Sequence, residues 1–158
     1  MGYYVQIRNA DFIIPDTDEV LNALRELNKR DDLKRGGVYT GGEMTERWFS
    51  WMPAGWENSE SVADIFGPNG LGFEVAHYSD TDESGNVTNT WVRLDLYDNK
   101  SGQEGLFLAT VAPFVRPGSF IEWVGEDSVM WRDYVGIDHK LYCQQAEIKW
   151  TNAKEVTV

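Results

Sequence analysis

The sequence predicts an α+β domain: a mainly antiparallel sheet with about three helices packed against it, ending in a β-meander. Three observations lead there. Segments with strand-like alternation outnumber those with helical spacing, and the helical segments fall between groups of strands without regular β-α alternation. The last third breaks into three apolar-polar runs separated by short polar turns. At 158 residues, 42% hydrophobic, with 7 Trp, 7 Tyr and 7 Phe, the chain can bury a core without disulfides. One domain is expected over residues 1–150, followed by a polar tail over 151–158.

The elements follow in order. Tyr3 to Ile7 and Phe12 to Ile14 read as short strands closed by Pro15, which cannot donate to a ladder. Asp16 stands as a helix cap with Glu19 in capping-box position, and Val20, Leu21, Leu24 and Leu27 recur at helical spacing, so a helix is expected from about Thr17 to Arg30. Asp31 to Thr45 reads as loop, marked by Gly36-Gly37 and Gly41-Gly42. Trp48, Phe49, Trp51 and Met52 read as a buried strand, and a short helix is expected from about Ser59 to Phe66, stopped by Gly67-Pro68. Phe73, Val75 and His77 alternate with polar neighbours, as do Val92, Leu94 and Leu96, so the two runs form a hairpin around the turn Asp80 to Asn89, with His77 facing inward. Ser101 and Glu104 form a second S-x-x-E box ahead of a third helix, which Pro113 ends. The meander then runs Phe120 to Val124, Val129 to Val135 and Leu141 to Trp150.

Charge is the feature that bears most on function. The formal net charge is -12, and Ala54 to Asp138 alone holds 15 Asp/Glu against 4 Lys/Arg. Such a field repels phosphate backbones and acidic membranes, and it attracts basic protein surfaces or cations within about 8 Å at physiological salt. No direct nucleic-acid partner and no membrane partner are expected. Lys29, Arg30, Lys34 and Arg35 form the one basic cluster, too small to hold nucleic acid against that charge; cations at a helix C-terminus explain the first two. A single cysteine, Cys143, closes no intrachain disulfide, and Met1 to Ile7 has no basic or long apolar segment, so a cytoplasmic setting without a signal peptide is expected.

Several motifs invite chemistry. Asp80-Thr81-Asp82-Glu83-Ser84-Gly85 matches the opening of a calcium loop, with Asp80, Asp82 and Ser84 as oxygen ligands. Position twelve is Trp91 rather than Glu, however, and a hairpin turn explains the same residues. His77, His139 and Cys143 have no zinc-site spacing, and no nucleophile elbow, P-loop or dinucleotide fingerprint occurs. Glu122, Glu126, Asp127 and Asp133 crowd one hairpin beside Trp123 and Trp131. They are the candidate partner-binding residues. If they instead served acid-base chemistry, Glu122 or Asp133 would line a cleft with a raised pKa.

Met1-Gly2-Tyr3-Tyr4-Val5-Gln6-Ile7 with Ile13-Ile14-Pro15, Gly41-Gly42-Glu43 through Trp48-Phe49-Ser50-Trp51-Met52-Pro53, Tyr97 to Glu104, and Ile121 to Asp127 with Trp131-Arg132 together resemble small acidic proteins of unknown function encoded by bacteriophages. The resemblance covers most of the chain. It implies a protein made in the cytoplasm of an infected bacterium, and it carries no catalytic or binding residues with it.

The function expected is therefore that of a non-enzymatic acidic phage accessory protein. It would bind a basic surface of a host protein, inhibiting a nucleic-acid-handling or anti-phage defence system, with no cofactor and with the oligomeric state left open. The alternative is a small-ligand or metal-binding module in which Trp48, Trp51 and Trp56 wall a pocket. Core packing accounts for those tryptophans more simply.

Overall fold

A computed structural model describes residues 2–40, 43–49 and 56–158. In chain order its elements are β1 (Tyr4–Asp11), β2 (Ile13–Pro15), α1 (Asp18–Asn28), β3 (Gly36–Thr40), β4 (Glu43–Arg47), α2 (Val62–Phe66), β5 (Glu74–Thr81), β6 (Val87–Leu96), β7 (Asp98–Lys100), α3 (Glu104–Val111), β8 (Phe120–Gly125), β9 (Met130–Val135) and β10 (Leu141–Gln145). Short 3-10 turns lie at Asp31–Leu33, Trp56–Asn58 and Ala112–Phe114. The fold class is α+β with antiparallel sheets, as the sequence predicts.

The strands divide among three sheets. A five-stranded sheet has the order β10-β9-β8-β1-β7, a three-stranded sheet the order β2-β6-β5, and β3 pairs with β4 alone. The first two are joined at one corner. There β1 passes through Phe12 into β2 while β6 passes through Tyr97 into β7, and the two crossings are stitched by Ile7 N–H to Tyr97 C=O and Leu94 N–H to Phe12 C=O, both 3.0 Å. A strand that changes sheets leaves its linking residue facing inward from both. Phe12 is accordingly fully buried, and Tyr97 nearly so.

The core is an aromatic cluster centred on Phe107 of α3. Its ring meets Trp48 at 5.5 Å, Phe49 at 6.1 Å, Trp56 at 5.6 Å and Phe66 at 6.4 Å. A second group, Phe73, Tyr97 and Trp123, continues it across the five-stranded sheet. Alternation in β8 explains how Trp123 gets there: Ile121 and Trp123 are buried while Phe120, Glu122 and Val124 are half-buried.

Several local expectations are corrected by distant contacts. Thr17, not Asp16, caps α1, its hydroxyl accepting from Val20 N–H at 3.3 Å. Asp16 reaches across to α2 instead, accepting from Val62 N–H at 2.8 Å and Ala63 N–H at 3.4 Å, beside the Ser61 cap. Ser101 and Glu104 form no capping box, because the α3 cap is Gln103 and Glu104 turns inward. The stretch expected as loop holds the β3–β4 hairpin. Trp48 and Phe49 are buried but outside any strand, while Trp51 and Met52 of that expected strand lie outside the described residues. α2 starts at Val62 rather than Ser59, and β10 stops at Gln145, with no regular structure after it. Pro113 ends α3 as expected, in the 3-10 turn that follows it.

Asp16 thus ties the start of one helix region to the first turn of another. Asp16→Ala is expected to cost about 1 kcal/mol, within the range for a lost N-terminal cap, with α1 otherwise intact. Chemical denaturation checks this; a loss below about 0.3 kcal/mol would assign the capping of α2 to Ser61 alone.

Candidate functional site

Two acidic features stand out, one projecting and one recessed. The projecting feature is the β5–β6 ribbon, held by paired strands from Glu74↔Leu96 to Thr81↔Val87. Every residue from His77 to Asn89 is exposed, so the ribbon's outer half leaves the body of the domain. His77 is therefore on the surface rather than facing inward. Asp80, Asp82 and Glu83 lie on this outer half, and the stretch 74–89 contains no Lys or Arg.

The expected calcium-loop residues sit in this ribbon. Asp80 belongs to β5, opposite Asn89. Asp82 folds the turn, its Oδ1 accepting from the N–H groups of Ser84 and Asn86 at 2.9 Å each, and Gly85 follows with φ +82°, a conformation suited to glycine. These N–H bonds, that of Asn86 foremost, hold the Asp82 carboxyl below the usual carboxylate range. Among the described residues no group of three or more His, Cys, Asp or Glu is placed to hold a metal ion.

The β8–β9 hairpin separates its four acids. Glu122 faces away from the core and pairs with Arg8 at 3.2 Å. Glu126 is exposed at the hairpin tip, where its N–H donates to Tyr4 C=O at 3.0 Å. Asp127 at the same tip has structural work: it accepts from the Tyr3 hydroxyl and from Val129 N–H at 3.1 Å. The Tyr3 bond, with Val129 N–H adding to it, holds Asp127 below its ordinary pKa and pushes Tyr3 up to about 12. Asp133 points the opposite way from Glu122 and is 8% exposed, accepting from Trp123 Nε1 at 2.9 Å.

Asp133 opens onto the recessed feature, a cleft of about 330 Å³ between the β9–β10 edge of the large sheet and the first turn of α3. Glu104 is the second acid in it, 7% exposed, and the sequence did not mark it as a site residue. Its carboxylate accepts from the Tyr97 hydroxyl at 2.8 Å and from Gly102 N–H at 2.9 Å. Burial pushes both Glu104 and Asp133 above the usual carboxylate range, outweighing their hydrogen bonds. Cys143, cross-strand from Asp133, has its thiol pushed up by burial and then by that carboxylate. Trp123 and Trp131 stack at 6.4 Å and 21° along one wall, and Gly105 stands at the mouth.

The tryptophans expected to wall a pocket do not form this one. Trp48 and Trp56 are buried against Phe107 in the core, and Trp51 lies outside the described residues. The only sequence signal for Glu104 was its acid at the head of an apolar helical run, which the capping-box pattern had absorbed. Its burial depends on Tyr97 and Gly102.

Fold and site together define an α+β chain with a projecting acidic ribbon and an acid-lined aromatic cleft. No protein-family model matches the chain, and no curated protein or solved structure shows a significant match.

Proposed function

We propose that this chain is a non-enzymatic acidic accessory protein that binds a basic surface of another protein. In the context its phage resemblance implies, that partner is a host protein of a nucleic-acid-handling or defence system in the bacterial cytoplasm. The observation that carries the reading is the β5–β6 ribbon: its outer half is exposed on both strands, and its acids form no ion pair among the described residues, the nearby Arg93 lying over the Tyr78 ring and pairing with Asp95 instead. Arg8, Lys29, Arg30, Lys34, Arg93 and Arg116 each pair with a nearby carboxylate, whereas Asp80, Asp82 and Glu83 of the ribbon are in none of these ion pairs. A ribbon of this kind projects its field into solvent, and Tyr78 and Val87, 38% and 64% exposed, add apolar contact beside it. Among the described residues no helix is long and apolar enough to cross a membrane.

The test neutralises Asp80, Glu83 and Glu126 to Asn, Gln and Gln, leaving the turn-forming Asp82 and Asp127 intact. Stability should change by less than about 0.5 kcal/mol per site. Capture from host lysate should yield a saturable protein partner at near-physiological salt, with slower association and a shallower salt dependence for the triple variant. Absence of a saturable partner, or identical association for variant and wild type at two salt concentrations, would remove both the ribbon and the β8–β9 tip from any interface.

A further inference from the structure

We propose that the cleft between α3 and the β9–β10 edge is a binding site for a single guanidinium group, seated between the Trp123–Trp131 wall and the carboxylates of Glu104 and Asp133. Both carboxylates are more than nine-tenths buried, and neither has a Lys or Arg partner among the described residues. Their hydrogen bonds come from an indole N–H, a phenol and the Gly102 N–H, which is shared between both Glu104 oxygens, all neutral donors. A carboxylate pair offers about eight lone-pair positions, more than these donors fill, so acceptor capacity remains toward the cleft.

Geometry favours guanidinium over a simple ammonium. The group is planar, stacks on aromatic faces, is weakly hydrated and presents a fork of N–H donors that matches carboxylates. The wall here is a pair of near-parallel indoles, with Trp131 half-buried, and Asp133 lies on the same strand face as Trp131, two residues on. The entrance is also suitable. Gly105 is exposed at the mouth, and a Cβ placed on it would meet no atom within 4 Å beyond its chain neighbours and its own helix backbone, so the approach over the first turn of α3 is open. A cation entering would stabilise the ionised form that burial disfavours in both acids, so binding and ionisation of the pair favour each other.

Arginine amide serves as the probe, and citrulline amide, with the same shape and no charge, as the control. Indole N–H signals of Trp123 and Trp131 should shift saturably with the first and not with the second. Asp133→Asn and Glu104→Gln should each weaken binding at least about tenfold. Because either could disturb folding, Gly105→Leu is the decisive variant: it keeps both acids, fills the mouth and suits a helix, so it should fold at least as well as wild type and abolish the shift. An Arg-containing tripeptide separates the sources of the group. Tighter binding than the amide points to an arginine side chain of a protein, and exclusion of the peptide points to a free guanidinium compound. No saturable shift with arginine amide in folded wild type, an equal response to citrulline amide, or undiminished binding by folded Gly105→Leu would each overturn the proposal. Gly105→Leu leaves the ribbon acids untouched, so failure here is distinguishable from failure of the ribbon as a docking surface.

Discussion

Phe107→Ala is expected to lower the stability of the domain by about 3–5 kcal/mol, a large part of the margin of a small protein. Phe107 is fully buried, and its ring touches four other aromatic residues drawn from the β4–α2 connection and α2 itself. Removing it deletes the transfer energy of the side chain and leaves a cavity that rigid neighbours such as Trp48 and Trp56 fill poorly. Aromatic edge contacts add about 0.5–1.5 kcal/mol each beyond area burial, which places the loss toward the upper end of the range. Phe107→Leu, which keeps most of the volume, should cost less, on the order of 1–2 kcal/mol. Urea titration followed by tryptophan fluorescence measures both. A loss under about 1 kcal/mol for the alanine variant would show that this cluster can collapse around the gap and that the core is centred elsewhere.

Glu104→Ala is expected to be the most costly polar substitution, at about 2–3 kcal/mol, because it leaves the buried Tyr97 hydroxyl, and the part-buried Gly102 N–H, without their acceptor. Glu104→Gln keeps a carbonyl acceptor and removes the charge, so it isolates the effect of ionisation. Burial raises the pKa of Glu104 above its ordinary 4.5 and that of Asp133 above 3.8. The native state therefore holds these protons longer than the unfolded chain does. Their contribution is full below the unfolded pKa and is lost as pH rises through the folded one. Among the described residues the titratable groups facing them in the cleft are each other, Tyr97 and Cys143, with no basic side chain.

An opposing set sits on the surface. Asp32, Asp82, Asp127 and Asp138 have lowered pKa values, first through Arg30, Asn86 N–H, Tyr3 and Tyr142 respectively, so their contribution is present above 3.8 and lost as pH falls. Wild-type stability should thus decline on both sides of a mildly acidic maximum. In Glu104→Gln with Asp133→Asn the decline toward neutral pH should flatten while the acid limb persists. Melting temperatures across about pH 3–8 check this, and an unchanged slope above the maximum would show that the two acids are solvated enough to ionise without cost.

The parts of the site that were legible in the sequence are those governed by near neighbours. Glu126 reads as a solvent-exposed tip because hairpin turns favour such residues, and it is exposed. Asp133 was singled out for its place beside two tryptophans, and the alternation of β9 does turn it inward toward the cleft. Asp127 was legible as a turn residue but not as an acceptor for Tyr3, because that hydroxyl arrives from 124 positions away. Glu104 was hidden for a related reason. Its S-x-x-E spacing satisfies a local rule for a helix cap, but burial beside Tyr97 draws the carboxylate inward.

Composition and short-range pattern by themselves determined the α+β class, the first helix, the end of the third at Pro113, the β5–β6 hairpin, the closing meander and the concentration of negative charge. Each depends on periodicity, on a backbone restriction of proline or glycine, or on counting, and none needs a distant partner. Only the tertiary structure decided that the strands split into sheets joined at the Phe12–Tyr97 corner, that Asp16 serves α2 rather than α1, and that Glu104 and Asp133 share a cleft. Those outcomes depend on which residues meet across dozens of positions. A buried carboxylate or a crossing strand is fixed by burial and hydrogen-bond satisfaction over the whole core, and a window of neighbouring residues carries no record of it.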